Sequence, residues 1–401
     1  MKKLFIVKVI GIFLVVGLPY WGVAAPLTAP KTIKVGSACA LTGIFGSGGA
    51  QCKAGYEIAI EHINKNGGVF VKEFNKKIPL ELVLLDDESN PMLTVSRMET
   101  FYTAHDVIAY LGGFSNSIHA AQAPIAEKNK VPLLMVATYL WSIHQKGYKY
   151  NFSPFPKSPD CAKGVFELLD SLPITLRPKK VAIFMEKSPV GLELGDLWKE
   201  EASKHGYEAV VYKEYNLGIK DFSSLIMAAK AAGSEILLTG PTTPEGITLM
   251  KQMKELDYYP KFCFVYRASD TMSWGPALRK DGDYVVLAPG WNYLVKFPGV
   301  KELNESHMKK FNREPDAMVG PAYTCVQVLA NAIERVGTLD REKLRDAIAS
   351  TNMMTVMGPM KFRPDGTGVV IFFFLQWQKG KQEVIWPKEH ATAPFVYPAP
   401  K

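Results

Sequence analysis

The sequence predicts an α/β protein made of two doubly wound lobes, each with a parallel sheet covered by helices. From Ile33 onward, short β-branched and leucine-rich runs alternate with helical patterns, which is typical of such sheets. The alternation closes near Tyr150 and begins again after the proline-rich stretch NFSPFPKSPD. Late helical stretches are followed by a lone strand, so we expect the chain to cross between the lobes more than once. Such crossings form a hinge beside a cleft in which open α/β sheets bind ligands.

The elements of the first lobe follow from local hydrophobic periodicity. Strand IKVGSA leads into a helix from about Lys53 to Asn66, which stops at Gly67-Gly68. The unit then continues with strand LELVLL, a helix after Pro91, strand VIAYLGG, a helix from about Ile118 to Asn129 and strand VPLLMV.

The second lobe repeats this pattern. Its predicted elements are strand VAIFM, helix GLELGDLWKEEASKH, strand EAVVY, helix DFSSLIMAAKAA, strand EILLT, helix PEGITLMKQMKEL and strand KFCFV. After strand YVVLA we predict three helical stretches, up to about Ser350, and a final aromatic-rich strand, VVIFFFLQW.

Residues 1–25 match a secretory signal peptide. Lys2 and Lys3 precede an apolar run, and small residues surround a cleavage site near Ala24 or Ala25. The apolar run at 9–18 is shorter than the roughly 20 residues that a bilayer span needs. We therefore expect an exported, periplasmic protein of about 375 residues, long enough for two domains.

The charge pattern argues against nucleic acid as a partner. The chain has 47 Lys and Arg residues against 39 Asp and Glu residues, a net charge of +8. Three of the lysines belong to the predicted signal segment, which leaves the mature chain at +5. Basic and acidic residues are interleaved without blocks of one sign, so a mixed, solvated surface is the better interpretation.

The five cysteines, Cys39, Cys52, Cys161, Cys263 and Cys325, are widely spread. They form no CxxC pair, and no histidine lies at metal-ligand spacing, so we expect no metal site. In an exported protein some of them could pair, and Cys39 with Cys52 is the one couple close in sequence. The odd count leaves at least one thiol free or paired between chains.

The stretch IKVGSACALTGIFGSGGAQ, residues 33–51, runs from a strand through a glycine-rich loop into a helix. It lacks GxGxxG with an acidic residue about 20 positions later, and no GK[ST] follows, so neither a dinucleotide nor a P-loop phosphate is expected. The loop can still present backbone N–H groups and a helix N-terminus to a carboxylate in the cleft. A plain tight strand-to-helix turn remains the alternative.

The stretch GGFSNS places Ser115, Asn116 and Ser117 between a strand and a helix. It approaches the GxSxG nucleophile motif but has Ser117 where the closing glycine should be, and no base lies at a fixed spacing. An exported hydrolase or amidase using Ser115 is therefore the alternative, and uncharged donors that hold an anionic group are the leading interpretation. A capping role for one of them is equally compatible.

The stretch VATYLW follows the last strand of the first lobe and points Ala137, Thr138 and Tyr139 at the cleft. In the second lobe Arg267 lies just past a strand end, where it could meet a carboxylate or remain an exposed salt-bridge residue. Aromatic residues that follow second-lobe segments could wall an apolar pocket, although packing in the core is the more common role: Trp274, Trp291 and Tyr293.

The opening IKVGSACALTGIFGSGGAQCKAGYEIAIEHINKNGGV resembles the start of the periplasmic leucine/isoleucine/valine-type binding proteins of ABC importers. The matching residues are Leu41-Thr42-Gly43, Gly55, Glu57, Ala59, Ile63-Asn64 and Gly67-Gly68. The stretches APIAEKNKVPLL, GYKYNF, MGPMKFRPDG and LQWQKG follow in the family's order, so the resemblance covers essentially the whole mature chain.

The resemblance implies a type I periplasmic binding protein fold, with two lobes joined by a three-crossing hinge. Lobe 1 would comprise 31–152 and 287–356, and lobe 2 would comprise 153–286 and 357–401. It also implies a protein that is not an enzyme, needs no cofactor, closes on a small-molecule ligand and docks onto an inner-membrane ABC permease.

In the family, hydroxyls and backbone amides of the first lobe hold the ligand carboxylate, at positions that fall on 115–117 and 137–138 here. The predicted ligand-binding set is Phe45, Ser115, Asn116, Ser117, Ala137, Thr138, Tyr139, Val190, Arg267 and Trp291.

The second lobe departs from the family pattern. The family's tyrosine-glycine is replaced by Val190-Gly191, and near VYRASD the sequence offers Arg267 and only later Asp270. A buried arginine would repel a ligand ammonium and welcome a second carboxylate or a carbonyl. The candidate ligands are therefore an amino acid, an organic or aromatic acid, an amide or a urea.

Overall fold

The computed structural model describes Met1 and residues 28–400, so the predicted signal segment lies outside the described residues apart from Met1. The first part of the chain contains, in order, β1 (Ile33–Cys39), α1 (Gly46–Lys65), β2 (Val69–Val71), β3 (Lys76–Ile78), β4 (Leu80–Asp86), α2 (Pro91–Thr100), β5 (Ala109–Leu111), α3 (Asn116–Asn129), β6 (Leu133–Leu134) and β7 (Asn151–Phe152).

The second part contains α4 (Ser158–Asp170), β8 (Lys180–Glu186), α5 (Pro189–Lys204), β9 (Glu208–Tyr215), α6 (Ser223–Ala231), β10 (Ile236–Thr239), α7 (Thr243–Glu255), β11 (Phe262–Val265), α8 (Trp274–Leu278) and β12 (Val286–Leu287). The last part contains α9 (Val300–Phe311), α10 (Val319–Val336), α11 (Arg341–Ala349), β13 (Asn352–Thr355), β14 (Gly358–Phe362), β15 (Gly368–Val369), β16 (Phe374–Gln378) and β17 (Lys381–Trp386).

The first lobe is built on a five-stranded sheet in the order β4-β1-β5-β6-β7, and every pair in it is parallel. Its inner strands are almost wholly apolar because helices cover both faces. Between β1 and β5 the direction of winding reverses, which leaves a crevice at the carboxyl ends of these two strands.

The second lobe has a seven-stranded sheet in the order β17-β16-β12-β11-β10-β8-β9. The five strands from β8 to β12 are parallel, whereas β16 and β17 add an antiparallel edge. The winding reverses between β8 and β10, so this lobe also has a crevice at its strand ends. The two-lobed α/β fold with parallel sheets is therefore confirmed.

The chain crosses between the lobes after β7, after β12 and after β15. The first crossing lies beside the segment that leads into β15 and the third crossing, since Ser153 pairs with Thr367, donates its N–H to the Gly366 carbonyl and accepts a hydrogen bond from the Gly368 N–H. Helix α10 packs on α1 of the first lobe although it follows β12 of the second lobe in the chain.

Two details of the sequence prediction differ from the structure. The aromatic stretch predicted as one strand, 369–377, divides between β15 in a small three-stranded sheet and β16 in the second lobe. The predicted boundary between 356 and 357 falls inside the β13–β14 hairpin, and Leu287 pairs with Leu375 in the second sheet. We propose that the third crossing lies at residues 370–373, and the lobe boundaries otherwise stay predictions.

Candidate functional site

A cavity of about 530 Å³ lies between the lobes, at the carboxyl ends of both sheets. Loops after β1, β5 and β6 form its first wall, and loops after β8, β10 and β11 form its second wall. The two crevices where strand winding reverses therefore open into one shared cleft, whose volume suits a small organic ligand.

The first wall carries the polar segment 115–117 at the start of α3. The Ser115 hydroxyl accepts a hydrogen bond from the Ile118 N–H and lies 3.1 Å from the Ser117 hydroxyl. Ser115, Asn116 and Ser117 all line the cleft, as the sequence predicted for uncharged donors. Ser115 thus caps the helix and borders the cavity as well, so the two interpretations of this segment are compatible.

The side chain of Asn116 ties this segment to residues 138–140. Its Oδ1 accepts hydrogen bonds from the Thr138 hydroxyl at 2.9 Å, the Tyr139 N–H at 3.0 Å and the Leu140 N–H at 3.2 Å. Because backbone N–H groups only donate, the oxygen of Asn116 must face them. The amide NH₂ group therefore faces away from 138–140, and Asn116 lines the cleft.

The glycine-rich loop serves close packing at the rim of the cleft. Gly43 has a φ of 79°, and a Cβ at Gly48 or Gly49 would lie 2.4 Å from the Phe114 ring or 1.7 Å from the Ala40 carbonyl oxygen. The N–H of Phe45 donates to the Ser89 hydroxyl. These glycines let α1 approach the end of β1, while the Phe45 ring lines the cleft.

Aromatic side chains form the floor of the cleft and join the lobes. The rings of Tyr139 and Tyr266, one from each wall, meet edge to face with centroids 5.1 Å apart. Phe155, on the first crossing, packs on Tyr139 at 5.0 Å. All three line the cavity together with Phe114, so most of its surface is apolar.

The second wall contains an ion pair between Arg267 and Glu186. The two guanidinium nitrogens of Arg267 lie 2.6 Å and 3.2 Å from the two carboxylate oxygens of Glu186. The same guanidinium donates to the Gly240 carbonyl at 3.0 Å. Of the two roles that the sequence left open for Arg267, the structure shows the salt bridge, since Glu186 at the end of β8 compensates the positive charge.

Asp270 is the second acidic side chain of this wall. Its Oδ1 is buried and has no hydrogen-bond partner among the residues that the structure describes. Burial raises the pKa of Asp270 to about 7, an effect that Arg267 partly offsets. Since Asp270 lines the cavity, its carboxyl group borders the candidate ligand site.

Two predicted ligand residues lie behind the cleft rather than in it. Trp291 is fully buried, donates its indole N–H to the Val356 carbonyl at 2.9 Å and packs on Gly320 of α10. Thr138 is also buried, and its hydroxyl supports Asn116 from behind. Trp291 is thus a core residue, because the late helices return to the first lobe and cover it.

Other chemistry is absent from the part of the chain that the structure describes. No group of three or more His, Cys, Asp or Glu residues within 28–400 could hold a metal ion, and no helix there is long and apolar enough to cross a membrane. The five cysteines are buried and unpaired, including Cys39 and Cys52.

The sequence also matches known proteins over nearly its whole length. Residues 32–382 match a family model described as "Periplasmic binding protein".

The chain belongs to the periplasmic binding protein family.

Individual relatives agree with this assignment. A leucine-, isoleucine-, valine-, threonine- and alanine-binding protein of Pseudomonas aeruginosa is 27% identical over 351 residues, which are 86% of this chain and 89% of the relative. A leucine-binding protein structure from Thermotoga maritima has a TM-score of 0.78 at 21% identity, covering 88% of this chain and 97% of that one. A solute-binding protein from R. palustris, solved with benzoate, has a TM-score of 0.74 at 16% identity, covering 91% and 98%.

Family membership decides whether Ser115 is the nucleophile of a hydrolase. The family consists of non-enzymatic solute-binding proteins of ABC transporters, so the hydrolase alternative is excluded. The geometry agrees, because the neighbouring His119 bonds through Nδ1 to the carbonyl of Ser115, not to its hydroxyl. Burial lowers the pKa of His119 to about 4.

In this periplasmic binding protein, eight of the ten predicted ligand residues line the cleft, and Thr138 and Trp291 do not. The cleft residues that sequence reasoning missed include Phe155, Glu186 and Tyr266, and Asp270 was mentioned only in passing. The sequence did contain a signal that Glu186 lies at the cleft. This residue ends β8, the first strand of the second lobe, beside the point where the winding reverses.

Proposed function

We propose that this periplasmic binding protein captures a small apolar amino acid in the cleft and delivers it unchanged to an ABC importer in the inner membrane. Residues 1–25 would direct its export and then be removed. Ligand contacts on both walls would favour the closed form, which the permease distinguishes from the open one.

The distribution of charge in the cleft carries this proposal. The residues of the first wall that line the cavity are all uncharged, and they include the hydroxyl and amide donors of 115–117. On the second wall Arg267 and Glu186 cancel, which leaves Asp270 with an unpartnered oxygen. A carboxylate fits the first wall and an ammonium fits the second, so the cleft matches a zwitterion with an apolar body.

The comparisons support an amino acid as well. The relative from Pseudomonas aeruginosa is described as binding leucine, isoleucine, valine, threonine and alanine. With Arg267 paired, the sequence-based reason against an α-amino group no longer applies.

An aromatic acid is the second candidate. Phe45, Phe114 and Phe155 line the cavity, and the R. palustris structure contains benzoate. Such a ligand lacks an ammonium and would leave Asp270 protonated, which its raised pKa permits.

Calorimetric titration of the mature chain at pH 8 tests the proposal. We compare l-leucine with 4-methylpentanoate, which lacks the ammonium, with leucinamide, which lacks the carboxylate, and with benzoate. Leucine should bind at least about 100-fold more tightly than either truncated analogue, since each leaves a buried polar group of the protein unpaired.

Asp270→Asn should weaken leucine binding about 30-fold and change 4-methylpentanoate binding little. The exposed Asp257→Asn is the control and should leave both unchanged. Tighter binding of benzoate than of leucine, with no effect of Asp270→Asn, would favour the aromatic acid. If none of the four compounds binds, the proposed ligand class is wrong.

A further inference from the structure

Lys157 is a buried cation on the first crossing between the lobes. Its side chain is among the largest fully buried ones, and its ammonium donates to the Thr138 carbonyl at 2.6 Å and to the Ser153 hydroxyl at 2.6 Å. Within residues 28–400, no carboxylate lies within 4 Å of this ammonium, and the nearby Asp160 accepts instead from the Lys157 backbone N–H at 3.0 Å. A buried lysine without a paired carboxylate is rare and costly, so its position calls for a physical explanation.

A continuous hydrogen-bonded path connects this ammonium to the cleft. The Thr138 carbonyl that accepts from Lys157 and the Tyr139 N–H belong to one peptide group. That N–H donates to Asn116 Oδ1 at 3.0 Å. The amide of Asn116 is the next group in the path, and Asn116 lines the cavity.

Charge at one end of such a path strengthens the donor at the other end. A cation on the carbonyl polarises the peptide and makes its N–H a stronger donor, and this bond in turn polarises the side-chain amide. The NH₂ group of Asn116 then carries more positive charge toward the cleft. The same contacts fix segment 138–140 from behind through Lys157 and from the front through Asn116.

We propose that Lys157 is a positioning residue for carboxylate recognition, which acts through the Thr138–Tyr139 peptide and the amide of Asn116. Lys157 itself does not line the cavity, so its effect on a ligand there would be indirect. This inference rests on the proposed function in one respect, that the ligand carries a carboxylate.

The surroundings of Lys157 make its contribution depend on pH. Burial lowers the pKa of Lys157 to about 7, although three carboxylates and a thiol around it, Asp160, Glu193, Asp365 and Cys325, favour the charged form. The other facing groups, His119 and His144, have pKa values lowered by burial to about 4 and about 3. Burial raises the pKa of Cys325, so the two histidines and this thiol have pKa values displaced away from that of Lys157.

The sign of the effect follows from the charge. A ligand carboxylate favours protonated Lys157, so the lysine strengthens binding below pH 7 and loses this effect as the pH rises through 7 and 8. Asp270 titrates in the same range with the opposite sign for an ammonium-bearing ligand. We therefore use the dissociation constant of a Lys157 variant divided by that of wild type at the same pH. Asp270 contributes equally to both proteins, so its effect cancels in this ratio.

The experiment measures l-leucine binding to wild type, Lys157→Met and the control Lys163→Met from pH 6 to pH 9. Lys163 lies on the exposed face of α4 and pairs with Glu167. The ratio for Lys157→Met should be about 10 at pH 6 and close to 1 at pH 9, since one unit of pKa change corresponds to a factor of ten. Lys163→Met should give a ratio near 1 throughout. A ratio for Lys157→Met that is near 1, or raised equally, at every pH overturns the proposal.

A double-mutant cycle tests the path itself. If Lys157 acts through Asn116, Lys157→Met should change leucine binding at pH 6 less than twofold in an Asn116→Ala background. Full additivity of the two changes would overturn the proposed path.

Hydrogen exchange without ligand separates this proposal from the proposed function. In Lys157→Met, peptides covering 136–141 should exchange about fivefold faster than in wild type at pH 6, and Lys163→Met should not change them. Failure of wild type to bind leucine would contradict the proposed function alone, and unchanged exchange at 136–141 would overturn the role of Lys157. If Lys157→Met does not fold, Ser153→Ala removes one of the two acceptors and should show the same changes at smaller size.

Discussion

Arg267 sits at the centre of the second wall in an unusual backbone conformation. Its φ is 68°, which non-glycine residues adopt at an energetic cost. The guanidinium reaches Glu186 and the Gly240 carbonyl from that position, crossing the end of β10. The surrounding bonds hold a strained residue so that the charges of Arg267 and Glu186 are paired before any ligand enters.

Removal of this arginine should destabilise the protein. Arg267→Met leaves the Glu186 carboxylate, whose side chain is only 5% exposed, without its partner, and we expect a loss of about 3 kcal/mol in the free energy of unfolding. Urea denaturation measures this loss. Lys254→Met, which breaks an exposed pair with Asp281, is the control and should cost less than about 1 kcal/mol. Equal losses in both variants would contradict the prediction.

Asp270 should make stability depend on pH. Burial raises its pKa from 3.8 to about 7, so between these values the folded protein keeps a proton that the unfolded chain has released. Stability is therefore lost as the pH rises through this window. The free energy of unfolding of Asp270→Asn should match that of wild type near pH 4 and exceed it by about 2 kcal/mol at pH 8.

Denaturation without ligand across pH 4–8 provides the measurement, with Asp257→Asn as the exposed control. A difference between Asp270→Asn and wild type that does not change with pH would show that the carboxyl group does not titrate in this window.

At the scale of elements, the glycine-rich entry to α1 fixes how the helix meets the sheet. Helix α1 passes close to the backbone that follows β1. Gly49 lies so near the carbonyl oxygen of Ala40 that no side chain fits there. This approach brings Phe45 and Gly48 to the rim of the cleft. The motif that resembles a phosphate loop is therefore a packing device next to the ligand site.

Gly49→Ala tests this interpretation. Alanine normally stabilises a helix interior by up to about 1 kcal/mol relative to glycine, but here its Cβ would meet backbone, and we expect a net loss of about 2 kcal/mol or more. Thermal unfolding of the variant is compared with Ser47→Ala, an exposed change in the same helical turn. A Gly49→Ala protein as stable as wild type would contradict the close approach.

At the scale of the whole molecule, the two crevices face each other across the three crossings, and Tyr139 and Tyr266 already touch between the walls. A ligand that contacts both walls should shift the population toward a more closed form. We expect saturating l-leucine to reduce the radius of gyration in small-angle scattering, on the order of 1 Å for a hinge closure.

At a leucine concentration about ten times the wild-type dissociation constant, Asp270→Asn, with its about 30-fold weaker binding, should stay mostly unliganded and serve as the control. An unchanged radius for wild type, at a concentration where calorimetry shows saturation, would contradict closure.

The pattern of residues predicted the architecture well because strand and helix periodicity depends only on residues that are close in the chain. Alternating strand and helix periodicity gave both sheets, and the three late helices occur as expected at α9, α10 and α11. The same reasoning placed Ser115, Asn116 and Tyr139 at the cleft, since the carboxyl ends of parallel strands gather at one edge of a sheet.

Periodicity could not predict contacts between residues that are far apart in the chain. The partner of Arg267 lies 81 residues away at Glu186, and the register of β8, β10 and β11 brings the two together. Trp291 follows a second-lobe strand but is covered by α10 after the chain has returned to the first lobe.

The sequence by itself therefore determined the two-lobed α/β fold, the family and the polar segment at the start of α3. The tertiary structure decided which charges are neutralised, which aromatic rings reach the cleft and where Lys157 is buried. The reason is physical: periodicity and turn chemistry act over a few neighbouring residues, whereas charge pairing and burial depend on strand register and on the three crossings.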